Sequence, residues 1–231
     1  MKNALTACAM LALAACSPPG PSTSSTTSTD TATTTTAAAP INVPAGDYKT
    51  DKAHSVAVFH VNHLGFSHYT GNFTGVDAQL TFDPGHPEAA TVTATIDTRT
   101  LSLPNPPSGF LAEIRDNASW LNAKQFPQMA FHSTAVHVTG ANTADVTGDF
   151  TFRGQTHPVT LHVTFNGGYP GMSMDPHARI GFSATGSFKR SDFGMTTGIP
   201  PAGTNMGVGD EVEIAIETEM TGPAFVAPAT P

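Results

Sequence analysis

Charge, thiols and the usual catalytic signatures are scarce in this chain. Only 12% of the residues are charged, and the formal net charge is −8 at pH 7. The densest basic pair is Lys189-Arg190. Nothing here offers nucleic-acid phosphates a counter-surface, so a nucleic-acid partner is excluded. Cysteine occurs twice, at Cys8 and Cys16, and tryptophan once. There is no H-x-H pair, no G-x-S-x-G elbow, no P-loop and no G-x-G-x-x-G ahead of a helix. Those gaps argue against a strand-borne metal site, a serine hydrolase and a nucleotide enzyme. No apolar run is long enough to span a bilayer as a mature helix.

The first fifteen residues read as an address rather than a fold. Lys2 supplies a positive start, and Ala4 to Ala15 a short apolar region. Leu13-Ala-Ala-Cys16 is similar to a bacterial lipobox, in which the cysteine sulfur is joined to a diacylglycerol and the chain is cut just before it. The plainer alternative is an ordinary signal peptide cut after an A-x-A site. The lipobox reading makes 1–15 a lipoprotein signal peptide and Cys16 the lipid attachment site. It places the chain in the bacterial cell envelope, in the periplasm, with a membrane partner through its N-terminal anchor. Ser17 after the cysteine favours the outer membrane by the usual sorting pattern. Cys8 leaves with the signal, so the mature chain keeps neither a disulfide nor a free thiol.

Residues 16–45 are Ser, Thr, Pro and Ala with almost no large apolar side chain. Such a stretch cannot offset its ordering entropy and is expected to be a disordered tether. As a flexible coil it spans roughly 30 Å on average. The tail, 223–231, has the same character. The folded domain is expected over 46–222.

Within it a period of two dominates. Val159, Leu161, Val163 and Phe165 alternate with Thr160, His162 and Thr164. Val212, Ile214 and Ile216 alternate with Glu211, Glu213 and Glu217. This is the pattern of antiparallel strands with one buried face. Eight strands are predicted: 54–64, 68–82, 90–97, 128–138, 144–153, 158–166, 178–188 and 210–220. The parity of bulky residues changes between Tyr69–Phe73 and Val76–Phe82, which predicts a bulge near Gly75. One helix is predicted over Gly109–Asn122. Without helical crossovers a parallel sheet is disfavoured. An all-β closed barrel or a sandwich remains.

The stretch His54-Ser-Val-Ala-Val-Phe-His-Val-Asn-His63 sets the functional question. His60 and His63 point to opposite faces of a strand, and His54 and His60 lie about 20 Å apart. Zinc wants three or four converging ligands, so no metal site is assigned. The carboxylates Glu211, Glu213 and Glu217 share a solvated face, and no catalytic residue is assigned. Fourteen phenylalanines, against three tyrosines and one tryptophan, suit an interior that asks for little hydrogen bonding. A filled core and a hollow one write the same alternation. Ser55, Ala57, Phe59, Val61 and His63 share the parity assigned to the interior.

Several short motifs, in order, carry a resemblance. They are Asp51-Lys-Ala-His54-Ser55, His63-Leu-Gly, Gly71-Asn-Phe73, Arg115-Asp116, Phe126-Pro127 and Val146-Thr-Gly-Asp-Phe150. Pro158-Val-Thr-Leu161, Lys189-Arg-Ser-Asp-Phe193-Gly194 and Val208-Gly-Asp-Glu-Val212 complete them. Together, over about residues 47–220, the chain resembles the YceI-like, polyisoprenoid-binding proteins. The resemblance implies an extended, eight-stranded, lipocalin-like antiparallel barrel with one short helix. It implies a tunnel for a long isoprenoid lipid, a polyprenyl phosphate or a quinone tail, with no catalysis and no cofactor beyond that ligand. On this reading the ligand touches Phe59, Val61, Phe73, Phe131, Phe150, Phe152, Phe165, Ile180, Phe182, Ile214 and Ile216. His63, at a mouth, donates to a head group or is hydrogen-bonded to neighbouring backbone. Arg190 meets an anionic head or pairs with Asp192. Thr196–Gly209 is a lid or a variable hairpin loop. A homodimer is left open. The alternatives are an enzyme using His63 or His132 with a carboxylate, and a structural or adhesion module with a filled core.

Overall fold

The alternating segments pair side by side until the sheet meets itself. The computed structural model describes residues 42–226. Its strands are β1 (Gly46–Thr50), β2 (Val56–His63), β3 (Ser67–Phe73), β4 (Val76–Phe82), β5 (Thr91–Asp97) and β6 (Leu101–Ser102). They continue as β7 (Gln128–Val138), β8 (Thr143–Phe152), β9 (Gln155–Tyr169), β10 (His177–Lys189) and β11 (Val208–Ala224). Among the described residues there is one α-helix, α1 (Phe110–Asp116). Eight strands close a ring in the order β1-β4-β5-β7-β8-β9-β10-β11, and β11 returns to β1 through Lys49 opposite Thr221 and Thr50 opposite Met220. Every pairing is antiparallel. Closure removes the free edges of those eight strands, while β3 keeps an outer edge paired only to β6, through Asn72 and Phe73.

Two of the staves are broken strands. β2 continues β1 along β11, and β3, paired to β2, runs on into β4. The first break is a 3₁₀ turn at Lys52–His54, capped where the Asp51 carboxylate accepts from Ala53 N–H at 3.0 Å. The second is at Gly75, where a Cβ would stand 2.8 Å from Thr100 and 2.9 Å from Asp97. The sequence predicted a bulge there inside one strand; the chain instead interrupts the strand. The antiparallel order defines two poles. The upper pole carries residues 64–66, 103–127 and 190–207, and the lower pole 83–90, 139–142, 170–176 and both ends of the described chain.

Other differences have local causes. β1 was not predicted, because Gly46-Asp-Tyr-Lys-Thr50 holds one large apolar residue, Tyr48. The helix stops at Asp116, six residues short of Asn122. Asn117 and its neighbours turn away instead: its Oδ1 accepts from Ser119 N–H at 2.7 Å and its amide donates to Glu113 at 2.8 Å. Such local side-chain bonds compete with continued helix. β9 and β11 run longer than expected, and β11 passes residue 222 to end at Ala224. Val43, inside the stretch read as tether, is buried against the lower pole.

The apolar interior divides into two clusters. At the upper pole Phe73, Leu103, Leu121, Phe152, Phe193 and Met195 pack under α1. At the lower pole Val43, Tyr48, Phe82, Ala178, Ile180 and Met220 pack together. Outward faces carry polar ladders such as Thr147–Thr160 and Ser183–Glu217.

Candidate ligand-binding cavity

Between the two clusters the barrel is hollow. A cavity of about 530 Å³ runs through it, with a wall that is almost entirely carbon. Eight staves give an interior just wide enough either to be filled or to hold one small ligand. Here the rings gather towards the poles. Phe150 lies 5.2 Å from Phe188 and 5.3 Å from Phe193, centroid to centroid, and Phe165 lies 5.5 Å from Phe182. At mid-height the wall includes Ala57, Ala94 and Ala184, which cannot reach across. Gly71 also faces inward, and its missing side chain is the space taken by the Phe59 ring, 2.5 Å from where a Cβ would be.

The cavity is bordered by Phe59, Val61, His63, Phe73, Phe131, Phe150, Phe152, Phe165, Phe182, Arg190, Ile214 and Ile216. Ile180 does not border it. Its parity points inward as read from sequence, but its height in β10 puts it in the lower cluster, 2% exposed. The sequence reading missed Tyr69, Trp120 and Leu161, all of which border the cavity. Tyr69 shares the parity of Phe73, so it was within reach of the pattern. Trp120 was not, because its place depends on how the loop after α1 folds back.

Arg190 borders the cavity but does not form the expected pair with Asp192. Its side chain is 2% exposed. The guanidinium donates instead to four main-chain carbonyls: Gly209 at 2.7 Å, Val208 at 2.8 Å, and Met195 and Thr197 at 2.9 Å each. It also lies 5.8 Å from the centre of the Trp120 ring. Burial pulls its pKa down, and the Asp210 carboxylate opposes this. The group therefore fastens the two ends of the 190–209 connection. Asp210 completes the fastening by accepting from Ser191 N–H and hydroxyl at 2.9 and 2.8 Å.

His63 ends β2 inside the upper mouth, its ring 6.1 Å from that of Tyr69. Among the described residues no hydrogen bond reaches either ring nitrogen of His63, so the backbone-bonded alternative is not what the structure forms. His60 faces out, its Nδ1 2.8 Å from the Thr70 hydroxyl. His132 faces out as well, 3.0 Å from the Thr93 hydroxyl. His63 and His132 thus lie on opposite sides of the wall and share no site.

The comparisons with known proteins agree with this architecture. A family model described as a YceI-like domain matches residues 48–220. The chain belongs to the YceI-like family. A UPF0312 protein of Pseudomonas putida strain GB-1 is 39% identical over 155 residues, covering 65% of this chain and 77% of its own. Protein YceI of Salmonella arizonae is 36% identical over 179 residues, covering 76% and 86%. Among solved structures, Burkholderia cenocepacia BcnA superposes with a TM-score of 0.60 at 26% identity, over 74% of this chain and 98% of that one. A polyisoprenoid binding domain from Saccharophagus degradans implicated in plant cell wall breakdown superposes with a TM-score of 0.56 at 11% identity, over 76% and 98%.

In this YceI-like barrel the ionisable clusters lie outside the cavity. Among the described residues one group of ligating side chains converges, Asp51, His54 and Glu219. Its carboxylate already has a cation, since Arg179 donates to Asp51 at 2.9 Å. The His54 side chain, the Ala53 N–H and Arg179 hold the Asp51 pKa below the usual carboxylate range. Arg179 also donates to Asp175 at 3.1 Å, and Tyr169 hydroxyl donates to the same oxygen at 2.6 Å. Those two donors, Tyr169 first, lower the Asp175 pKa. The arrangement ties the middle of the barrel to the 170–176 loop, and among the described residues the cavity wall holds no Asp, Glu or Lys and one arginine, Arg190.

Proposed function

We propose that this chain binds a long isoprenoid lipid, a polyprenyl phosphate or an isoprenoid quinone, in the barrel and carries or sequesters it. The observation that carries the reading is the carbon-walled cavity, whose His63 and Tyr69 stand at one end. Each buried CH₂ contributes about 0.8 kcal/mol. A five-carbon isoprene unit then adds roughly 3–4 kcal/mol by the same figure. Association costs an estimated 4–15 kcal/mol. One or two units barely offset that, and several do so with surplus. A dry tunnel therefore selects long tails, while the polar end selects the head. The family's polyisoprenoid-binding neighbour supports the same ligand class.

The reading includes a tether. Lys2, the apolar run Ala4 to Ala15 and Leu13-Ala-Ala-Cys16 support a lipoprotein of the bacterial envelope, held through Cys16 at the outer membrane on its periplasmic side. The signal, 1–15, and most of the tether, 16–45, lie outside the described residues, as do the last five of the tail.

Organic extraction of gently purified protein, followed by mass spectrometry, tests the ligand. A polyprenyl species near one per chain is expected; a clean extract from protein that also takes up no added long-chain quinone would sink the proposal. The mass of the N-terminal peptide tests the tether. A diacylglyceryl group on Cys16, lost in Cys16→Ser, is expected.

A further inference from the structure

Two loops at the upper pole end in large apolar side chains that stand in solvent. Phe66 is 82% exposed and Met206 71% exposed. The loops are tied together: Leu64 N–H donates to the Gly207 carbonyl at 2.8 Å, and a Cβ on Gly65 would lie 3.1 Å from Asn205. The turn that presents Phe66 is not a relaxed one. Leu64 has φ +58° and Gly65 φ +71°, and a leucine in the left-handed region is disfavoured. His63, three residues before Phe66, pairs with Val208, two residues after Met206. Both border the cavity. The exposed phenyl and thioether groups therefore flank its upper mouth, and Phe110, at the start of α1, borders the same cavity while partly exposed.

The lower end differs. There the cavity is bordered by Gly140, Ala141, Asn142 and Thr143, with Pro87, Ala90 and the 41% exposed Val138 beside them. Met172 and Met174 are exposed at that pole, but no residue of 166–181 borders the cavity. Among the described residues the large apolar groups more than two-thirds exposed that stand two or three residues from the cavity wall, Phe66 and Met206, lie at the upper mouth. Such groups gain nothing in water and gain burial in the headgroup and acyl boundary of a bilayer.

We propose that the upper rim, led by Phe66 and Met206, docks on the surface of a lipid bilayer. The orientation rests on the carrier reading for its purpose but not for its physics. Asn42, the first described residue, lies at the lower pole. Between Cys16 and Asn42 lie 25 residues, whose extended reach is at most about 85–90 Å. The thirteen residues of β10 span only about 43 Å. An anchor at Cys16 thus allows the upper pole to face the membrane that holds it.

The test uses the full chain with Cys8→Ser and Cys16→Ser, so that one introduced thiol carries an environment-sensitive nitrobenzoxadiazole label. Met206→Cys reports the upper pole and Met174→Cys the lower. Vesicles of phosphatidylethanolamine and phosphatidylglycerol, free of quinone, are the probe. With vesicles, the label at 206 is expected to lose most of its quenching by aqueous iodide and to gain quenching by brominated acyl chains, while the label at 174 keeps its iodide quenching. Adding Phe66→Ser should weaken the vesicle effect at 206 about tenfold in lipid concentration. Iodide quenching at 206 that vesicles leave unchanged, or shielding at 174 instead, overturns the proposal. Shielding at 206 without lipid, with a doubled mass in solution, overturns it in favour of a second copy. The carrier reading is scored separately. A long-chain isoprenoid quinone in detergent micelles should quench Trp120, the single tryptophan, which borders the cavity. No quenching there defeats cargo binding and leaves the docking result standing on its own.

Discussion

Arg190 Nε donates to the Gly209 carbonyl oxygen at 2.7 Å, joining the end of β10 to the start of β11 beneath Trp120. Three further bonds from the same guanidinium go to Met195, Thr197 and Val208. No other side chain presents a planar fork of this reach. Arg190→Met is expected to cost on the order of 2–4 kcal/mol, because four carbonyls, one buried and three part-buried, lose their charged donor. Arg190→Lys should recover less than half of that. Urea denaturation measures both; a change near zero for Arg190→Met would show that the 190–209 connection holds itself.

Ala184 gives the cavity width where β10 faces Val163 and Ile216. Ala184→Phe places a ring in empty space rather than in a packed core. Co-purified lipid per chain should fall several-fold, while the unfolding temperature of lipid-free protein stays the same or rises. Retained lipid at the parental ratio would mean that the tail does not pass this height.

At the upper mouth the His63 ring nitrogens have no hydrogen-bond partner among the described residues. Replacement of His63 by Ala should remove one hydrogen bond to a head group, about 0.5–1.5 kcal/mol or up to roughly tenfold in affinity. The loss should appear for a long-chain quinone and not for a headless polyprene hydrocarbon of equal length. Competition binding separates the two, and equal losses would make His63 a wall residue only.

Asp51 and Asp175 converge on Arg179, and both have folded-state pKa values lowered by their donors. A carboxyl that binds its proton less readily when folded favours folding above its unfolded pKa, near 3.9. That contribution is lost as pH falls from about 5 through the lowered folded values. Stability should therefore be flat above pH 5 and fall below pH 4. In the Asp51→Asn, Asp175→Asn double variant the acid slope should be shallower. Thermal melts from pH 2.5 to 7 read the slopes directly.

How much of this was legible before the structure depends on distance along the chain. Val212, Ile214 and Ile216 against Glu211, Glu213 and Glu217 announce a two-faced strand, and β11 is that strand. The parity change at Gly75 marked the bend. The interior side of β2 followed from Phe59, Val61 and His63 sharing a parity. Parity says inward or outward but not how high in the barrel, so Ile180 was placed on the ligand although it packs in the lower cluster. Arg190 was expected to meet an anionic head or to pair with Asp192; its four acceptors are carbonyls, which leave no mark on a side-chain sequence. Hollow against filled was likewise invisible: it turns on where rings such as Phe150 and Phe193 meet in space.

The two apolar clusters lie at opposite ends and leave the waist of the barrel unsupported. Whatever lies along the waist would act as a third core that the gene does not encode. Its atoms would make the missing contacts across Ala57, Ala94 and Ala184. Thermal resistance would then track guest concentration logarithmically, as linkage requires. The emptied protein would be the softer one, so handing over its cargo would also loosen the container.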